Sequence, residues 1–117
     1  MEQMENLKRG DVLMANLGYQ RGNVQGGIRP VVVIQNDIGN KNSPTIVVVP
    51  LTTKRKDSFY PFHVKLRKEL SELEEDSVVL CEQPRTIDKT DILEYVTALC
   101  HKEIVKINTA LRKELCL

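Results

Sequence analysis

The sequence is poor in aromatic residues and in histidine: it has no tryptophan, three tyrosines, two phenylalanines and two histidines in 117 residues. A platform on which nucleobases stack needs several aromatic side chains, so a single-strand-binding module of that kind is disfavoured. His63 lies on a predicted strand and His101 at the start of a predicted helix, which argues against a catalytic histidine pair. We expect His63 to be an exposed strand residue and the core to be aliphatic.

Cysteine is sparse and long apolar runs are absent. Cys81, Cys100 and Cys116 form an odd set without Cys-x-x-Cys spacing, which argues against a disulfide framework and against a structural zinc site. The longest apolar stretches, residues 31–34 and 46–51, are far shorter than the roughly 20 residues of a membrane span. The acidic N-terminus lacks the apolar segment of a signal peptide. We therefore expect a cytoplasmic protein that makes no membrane contact.

Motifs for cofactors and metals are also missing. The sequence has no Gly-x-Gly-x-x-Gly, Walker or His-Glu-x-x-His pattern, and no carboxylates and histidines have the spacing of metal ligands. We expect no cofactor and no metal, with Asp37 and Asp88 in surface or capping roles. The net charge is +1, so a nucleic-acid site would have to be a local patch rather than a broad basic face.

Length and residue patterns predict one domain over residues 1–117, because a single core usually takes roughly 100 to 150 residues. Alternating or β-branched segments predict strands, and apolar residues spaced by three and four from His101 onward predict an amphipathic helix. Strands are predicted at residues 11–17, 30–34, 45–51, 62–66, 77–81 and 95–99, with 83–88 continuing the fifth strand after a kink at Pro84. The predicted fold class is mainly β (α+β), a small antiparallel barrel with a C-terminal α-helix.

Three connecting segments carry further predictions. Four glycines among polar residues predict a mobile loop over residues 18–27, and residues 36–44 are predicted to be irregular. Leu66, Leu70 and Leu73 have helical spacing, which predicts one or two helical turns. We also expect so small a domain to gain apolar core by forming a homodimer.

Cationic and hydroxyl side chains cluster at the ends of predicted strands. Arg29 lies directly before a buried strand, Thr52 closes the third strand, and the basic run 54–56 follows it. Arg85 and Thr86 lie at the kink after the fifth strand. A guanidinium fork and a hydroxyl suit a phosphodiester, although such residues are more often surface ion pairs or ordinary strand formers. Composition and spacing alone predict a small barrel with a candidate phosphate site.

Four motifs, taken in their order along the chain, carry a family resemblance. They are Lys8-Arg9-Gly10-Asp11-Val12, Gln25-Gly26-Gly27-Ile28-Arg29-Pro30-Val31-Val32-Val33-Ile34-Gln35-Asn36-Asp37, Pro50-Leu51-Thr52 and Glu82-Gln83-Pro84-Arg85-Thr86-Ile87-Asp88. Together they resemble the MazF/PemK family of toxin endoribonucleases, the mRNA interferases of type II toxin-antitoxin systems. The resemblance implies an SH3-like barrel, a homodimer and metal-independent, sequence-specific cleavage of single-stranded mRNA. It also implies a cognate antitoxin whose acidic, disordered tail occupies the RNA groove.

The resemblance implies roles for individual residues as well. Arg29 and Thr52 take the positions of the catalytic arginine and threonine, and the loop over residues 18–27 takes that of a mobile segment covering the RNA. The RNA-binding positions fall on Gln25, Asn36, Thr53, Gln83, Arg85 and Thr86. Val24 stands where relatives often carry glutamate, so the acceptor of the 2′-hydroxyl proton stays open between Arg29, a phosphate oxygen and a water.

The implied reaction is attack by the RNA's own 2′-hydroxyl, which leaves a 2′,3′-cyclic phosphate (or 3′-phosphate) and a 5′-hydroxyl. Two other functions stay open, and both act by protein binding without RNA cleavage. A gyrase-inhibiting toxin of the same fold would resemble its group in a tryptophan-containing C-terminal end, which this chain lacks. A peptide-recognition module would use surface aromatic residues, of which the chain has few.

Overall fold

The structure is a computed structural model that describes residues 2–55 and 58–117. The strands in this part of the chain are β1 (Asp11–Asn16), β2 (Ile28–Val33), β3 (Thr45–Thr52), β4 (His63–Leu66), β5 (Ser77–Leu80), β6 (Arg85–Asp88) and β7 (Ile92–Ala98). The helices are α1 (Glu2–Glu5), α2 (Asp37–Asn42), α3 (Lys68–Ser71) and α4 (His101–Leu115), with a 3₁₀ turn at Lys89–Asp91. Over these same residues no helix has the length and apolar character needed to cross a membrane.

The strands form one antiparallel sheet in the order β4-β5-β3-β2-β1-β7, with β6 paired to β3. Strand β3 is long enough for three partners: residues 45–48 pair with β6, residues 48–50 with β2, and residues 51–52 with β5. Within the described residues β4 and β7 do not pair, so the sheet is barrel-like without being closed. The predicted fold class, mainly β with an antiparallel sheet and a C-terminal helix, is confirmed.

Aliphatic side chains fill both sides of the sheet. Alternation along β2 sends Val31 and Val33 to one core cluster and Val32 to the other, and each of the three is at most 1% exposed. Helix α4 covers the cluster of Val32 through Ile107 and Leu111. Burying an aliphatic side chain of this size contributes roughly 1.5–3 kcal/mol, so β2 is held from both faces, as its β-branched sequence predicts.

Residues 83–88 do not continue the fifth strand, and that prediction is wrong. Strand β5 ends at Leu80 and pairs with the end of β3, whereas β6 starts at Arg85 and pairs with the beginning of β3. A turn closed by the hydrogen bond from Gln83 N to Leu80 O (3.0 Å) separates the two strands. The last strand is also longer than predicted, because it begins at Ile92 directly after the 3₁₀ turn.

Residues 36–44, predicted to be irregular, contain helix α2. Its N-terminus is stabilised by Asn36, whose side chain accepts a hydrogen bond of 2.8 Å from Gly39 N. Such a cap contributes about 1 kcal/mol and offsets the low helix propensity of this segment. The turn predicted from the leucine spacing is present as α3, although the side chain of Leu70 lies outside the described part of the chain.

The prediction that His63 is exposed is wrong, because its side chain is only 1% exposed. The rings of Phe62 and Tyr60 pack edge-on against the imidazole with centroid distances of 5.0 and 5.4 Å. Glu82, nineteen residues further along the chain, is hydrogen-bonded to its Nε2. A polar residue is buried at low cost when it is hydrogen-bonded, and strand alternation could not reveal so distant a partner.

The two aspartates expected in surface or capping roles have such roles. The side chain of Asp88 accepts from Thr90 N at 2.9 Å and caps the 3₁₀ turn, and this hydrogen bond lowers the pKa of Asp88. The side chain of Asp37 accepts from Arg9 N at 2.8 Å, which likewise lowers its pKa. Across residues 2–55 and 58–117, no group of three or more histidine, cysteine, aspartate or glutamate side chains could hold a metal ion.

Candidate functional site

The register of β2 and β3 brings Arg29 and Thr52 to the same end of the sheet. The ladder between the two strands ends at the pair of Val31 and Pro50, and Arg29 and Thr52 each lie two residues beyond that pair. Because side chains alternate along a strand, Arg29 and Thr52 lie on the same face of the sheet as Val31, whose side chain is buried in the core cluster on that face. The candidate site therefore lies at the edge of this core cluster.

Arg29 and Thr52 line one cavity of about 180 Å³, here called the Arg29 cavity, together with Gln20, Gly22, Asn23, Gln25, Lys54 and Arg55. Arg29, Lys54 and Arg55 are cationic, and no carboxylate from the described residues is among the lining side chains. The concentration of positive charge on a concave surface favours an anionic ligand.

The hydrogen bonds of Arg29 and Thr52 leave donors available to such a ligand. Arg29 is half-buried, and its Nε donates to the carbonyl oxygen of Gly26 at 3.0 Å. Its two terminal amino groups have no hydrogen-bond partner in the part of the chain that the structure describes. Thr52 is 4% exposed, and its Oγ1 accepts from Lys54 N at 3.2 Å, so its own hydroxyl hydrogen can be donated. The pair offers a guanidinium fork and a hydroxyl to one anion.

The loop between β1 and β2 is closed at its base. Leu17 N donates to Gly27 O at 2.8 Å, and Gly27 N donates to Gly18 O at 2.6 Å. Gly18 and Gly27 have φ values of 77° and 75°, which residues with a Cβ rarely adopt. Further out, Val24 N donates to Arg21 O at 2.9 Å. The loop is thus a hairpin whose two arms are bonded to each other.

Gln83 and Arg85 are bonded to the backbone of this loop. Oε1 of Gln83 accepts from Gln25 N at 2.9 Å, and its Nε2 donates to Asn23 O at 3.1 Å. Arg85 donates to Gln25 O at 3.2 Å and, through its other terminal amino group, to Leu17 O at 3.1 Å. Both side chains therefore determine where the loop lies.

A second cavity of about 510 Å³, here called the Gln83 cavity, is lined by Tyr19, Arg21, Val24, Glu82, Gln83, Pro84, Arg85 and Thr86. It brings together Gln83, Arg85 and Thr86, three of the residues expected to bind RNA. The loop residues divide between the two cavities, since Tyr19 and Val24 line this one whereas Gln25 lines the Arg29 cavity. The loop is the shared wall of both.

The other predicted positions lie elsewhere. Asn36 caps α2 and lines neither cavity. Thr53 is exposed directly after Thr52 and also lines neither cavity. Lys56, the last residue of the basic run, lies outside the described residues.

Several lining residues carry little or no signal in the sequence. Gln20 and Asn23 are marked only by their place in a glycine-rich loop. Lys54 and Arg55 carry more signal, because they directly follow Thr52 as part of a basic run. Glu82 lines the Gln83 cavity and accepts a hydrogen bond from the buried His63. The sequence indicates a role for Glu82 only through its place directly before Gln83.

Comparisons with known proteins agree with one another. Residues 8–115 match a family described as the PemK-like, MazF-like toxin of type II toxin-antitoxin systems. Two relatives, each an endoribonuclease MazF, come from Staphylococcus saprophyticus and Staphylococcus epidermidis. They are 46% and 44% identical to this chain over 105 residues, which cover 90% of this chain and 88% of each relative. A solved mycobacterial endoribonuclease in complex with its cognate antitoxin matches with a TM-score of 0.80 and 28% identity, over 94% of this chain and 95% of that one.

Proposed function

This chain belongs to the PemK-like, MazF-like toxins of type II toxin-antitoxin systems, and from that premise we propose that it is a sequence-specific endoribonuclease that cleaves single-stranded mRNA in the cytoplasm. The observation that carries the proposal is the pairing of Arg29 with Thr52 in one cavity that also holds Lys54 and Arg55. Three cations and a hydroxyl without a lining carboxylate, among the described residues, suit the phosphodiester of a polyanion. In this proposal residues 1–117 belong to one toxin domain, of which residues 8–115 match the family.

The reaction uses a nucleophile that the substrate itself carries. The 2′-hydroxyl oxygen attacks the adjacent phosphorus, the bond from phosphorus to the 5′-oxygen breaks, and the products are a 2′,3′-cyclic phosphate and a 5′-hydroxyl. Where a 3′-phosphate is found instead, a water has hydrolysed the P–O2′ bond of the cyclic phosphate in a second step. Because no external water has to be activated for the first step, a metal-bound hydroxide is unnecessary. Negative charge grows on the non-bridging oxygens in the transition state, where the terminal amino groups of Arg29 and the hydroxyl of Thr52 would donate hydrogen bonds.

The residues that line the Arg29 cavity also limit which groups can transfer protons. Arg29 keeps its positive charge, so it can donate a hydrogen bond to the leaving 5′-oxygen but is a poor acid and a poor base. The 5′-oxygen gains one proton and the 2′-hydroxyl loses one, so the step balances without a change in Arg29. Val24 occupies the position of the glutamate frequent in relatives, and it lines the Gln83 cavity. With no carboxylate from the described residues in the Arg29 cavity, the 2′-proton passes to a phosphate oxygen or to a water.

The RNA strand would continue from the Arg29 cavity across the loop into the Gln83 cavity. Gln25, Gln83, Arg85 and Thr86 line this path, and base edges can be read there by the amides and the hydroxyl. Asn36 and Thr53 would contact RNA only where the strand runs beyond both cavities.

Two protein partners complete the proposal. The mycobacterial relative forms a complex with its cognate antitoxin, and an acidic, disordered antitoxin tail would be attracted by the cations of the Arg29 cavity and would exclude RNA from it. A second copy of the chain would cover exposed apolar side chains, among them Ile28 and Leu93, at 63% and 52% exposed. Light scattering of the purified chain measures whether a homodimer forms.

The proposal is tested by incubating the purified protein in EDTA with long single-stranded RNA of mixed sequence, followed by mass spectrometry of the fragment ends. Discrete cuts with cyclic phosphate and 5′-hydroxyl ends, lost in Arg29→Ala and in Thr52→Ala, are the expected result. Intact RNA after incubation with a folded wild-type protein would overturn it and would favour a toxin that acts by protein binding, for example on gyrase.

A further inference from the structure

His63 forms a buried link between two segments that are far apart in the chain. Its Nδ1 lies 2.5 Å from Oγ of Ser58, and its Nε2 lies 2.8 Å from Oε2 of Glu82. The stacked rings of Tyr60 and Phe62, 5.0 Å apart, pack against the imidazole and shield it. An aliphatic residue would fill this space without needing partners, so the imidazole is present for its two hydrogen bonds.

The direction of each hydrogen bond follows from the partners. A carboxylate can only accept, so Nε2 of His63 carries the hydrogen that is donated to Glu82. Oγ of Ser58 accepts from Tyr60 N at 3.3 Å and can donate its own hydrogen to Nδ1. Both ring nitrogens are thus engaged, and rotation of the ring would break both bonds.

The Ser58 end of this link leads to one wall of the Arg29 cavity. Ser58 N donates to Arg55 O at 3.1 Å, and Lys54 N donates to Oγ1 of Thr52 at 3.2 Å. The short segment that supplies Lys54 and Arg55 is therefore attached at one end to the catalytic threonine and at the other, through Ser58, to His63.

The Glu82 end leads to the loop between β1 and β2, which also lines the Arg29 cavity. Glu82 directly precedes Gln83, whose side chain is bonded to Gln25 N and Asn23 O of the loop. The other carboxylate oxygen of Glu82 is buried and has no hydrogen-bond partner among residues 2–55 and 58–117. Among the described residues His63 is the hydrogen-bond donor that fixes this carboxylate, whose side chain is 22% exposed, and without that donor the carboxylate can turn toward water.

We propose that His63 is a positioning residue for two segments that line the Arg29 cavity. Through Ser58 it holds the segment that contains Lys54 and Arg55. Through Glu82, and the neighbouring Gln83, it holds the loop that contains Gln25. The inference rests on the proposed function only for its effect on RNA. The release of the loop when the hydrogen bond between His63 and Glu82 is broken does not depend on that function. His63 does not touch the substrate, because its side chain is almost completely buried.

The first experiment measures loop release without RNA. Amide hydrogen exchange at Gln25, whose N–H is bonded to Gln83, is followed by NMR in wild type, His63→Phe, Glu82→Ala and Glu82→Gln. We expect about tenfold faster exchange in the first two variants, corresponding to the loss of one hydrogen bond. Wild-type exchange is expected in Glu82→Gln, whose side-chain oxygen can still accept from Nε2.

Ser71→Ala is the matched control, because it removes a hydrogen bond to the buried carboxylate of Glu103, which lines neither cavity. We expect Gln25 exchange in this variant to stay at the wild-type rate. If His63→Phe does not fold, Glu82→Ala still tests the link, and Gln83→Ala, which removes the acceptor itself, gives the exchange rate of the released amide. Exchange at Gln25 that is unchanged in Glu82→Ala would overturn the proposal.

The second experiment measures cleavage of a defined RNA by the same proteins. A positioning role predicts about a tenfold rise in KM for His63→Phe and Glu82→Ala, a KM no higher than that of the wild type for Glu82→Gln, and wild-type KM for Ser71→Ala. A purely structural role would instead lower kcat, in proportion to the folded fraction, at unchanged KM, and that result would overturn the positioning role. RNA left intact by the wild type would contradict the proposed function, and the exchange experiment would still decide whether His63 holds the loop.

Discussion

Arg85 donates a hydrogen bond of 3.2 Å to the carbonyl oxygen of Gln25, a residue sixty positions earlier in the chain. The same guanidinium reaches Leu17 O, so one planar fork binds both arms of the loop. An arginine at the wall of a groove is easily assumed to face only the ligand. Here both terminal amino groups already have protein acceptors, so Arg85 positions Gln25 as well as lining the Gln83 cavity.

Replacement of Arg85 should therefore affect stability as well as RNA binding. We expect Arg85→Ala to lower the free energy of unfolding by about 1–3 kcal/mol, because two hydrogen bonds from a charged donor are lost. Urea denaturation of the purified proteins measures this difference. Arg67→Ala is the control, since the Arg67 side chain is 74% exposed and its ion pair with Glu69 spans 4.0 Å. Equal stability of the two variants would contradict the prediction.

Arg29→Ala should abolish cleavage while leaving the fold intact. The terminal amino groups of Arg29 have no partner within the described residues, so their loss removes donors to the transition state and little native structure. We expect the rate to fall by at least about 10² to 10³, the usual effect of losing one such donor. Single-turnover cleavage, with circular dichroism as the folding control, measures it. A rate within threefold of wild type would exclude Arg29 from catalysis.

Thr52 offers a test of the hydroxyl by itself. Thr52→Ser keeps Oγ and should retain most of the activity, whereas Thr52→Val keeps the shape and should lose about 10² or more in rate. Because Thr52 is buried and its Oγ1 accepts from Lys54 N, the valine variant also needs a thermal melt to establish that it folds. Thr109→Val, which removes a hydroxyl that donates only to Val105 O on the exposed face of α4, is the control.

Lys54 and Arg55 should contribute to binding through charge. Neutralising either one, as Lys54→Gln or Arg55→Gln, should weaken binding of uncleavable single-stranded RNA for all sequences. It should also reduce the slope of log K against log salt concentration by about 0.7, the value for one phosphate contact on a single strand. Fluorescence anisotropy at several salt concentrations measures the slope. A slope equal to that of the wild type in both variants would place these cations outside the RNA path.

Cys81 should be unreactive while the other two thiols are modified. Burial, and secondarily the charges of Glu82 and Glu114, raise the pKa of Cys81 to about 12. At pH 8 it is therefore a neutral thiol without access to solvent, whereas Cys100 and Cys116 are exposed. Iodoacetamide labelling followed by mass spectrometry should find two modified cysteines in the native protein and three after denaturation.

The same pKa gives the expected pH dependence of stability. The pKa of Cys81 is higher in the folded than in the unfolded chain. The contribution of this thiol to the free energy of unfolding is therefore fully present below about pH 9 and is lost as the pH rises toward 12. Cys81→Ser should be less stable than wild type at pH 8. An unfolding free energy of the wild-type protein that stays constant between pH 8 and 11 would contradict the predicted loss of stability.

The sequence predicts the elements whose signals are local. The β-branched run at residues 30–34 and the helical spacing after His101 identify β2 and α4 correctly, and ordered motifs point to the pair of Arg29 and Thr52. The separation of β6 from β5 could not be predicted, because it depends on which part of β3 each strand meets. The burial of His63 depends likewise on a partner nineteen residues away, and the roles of Gln83 and Arg85 depend on a loop some sixty residues away.

The two hydrogen bonds that close the loop at Leu17, Gly18 and Gly27 have a consequence for diversification of the family. They set apart residues 19–24 as an exchangeable cassette, whereas Gln25 and Gly26 stay bonded to Arg85 and Arg29. Insertions and substitutions at its tip can alter which bases are read without moving Arg29, whose backbone lies in β2 and whose Nε is bonded to Gly26 O outside the cassette. New cleavage specificities can therefore arise by swapping this segment, and grafting it between relatives is a direct route to engineered ones.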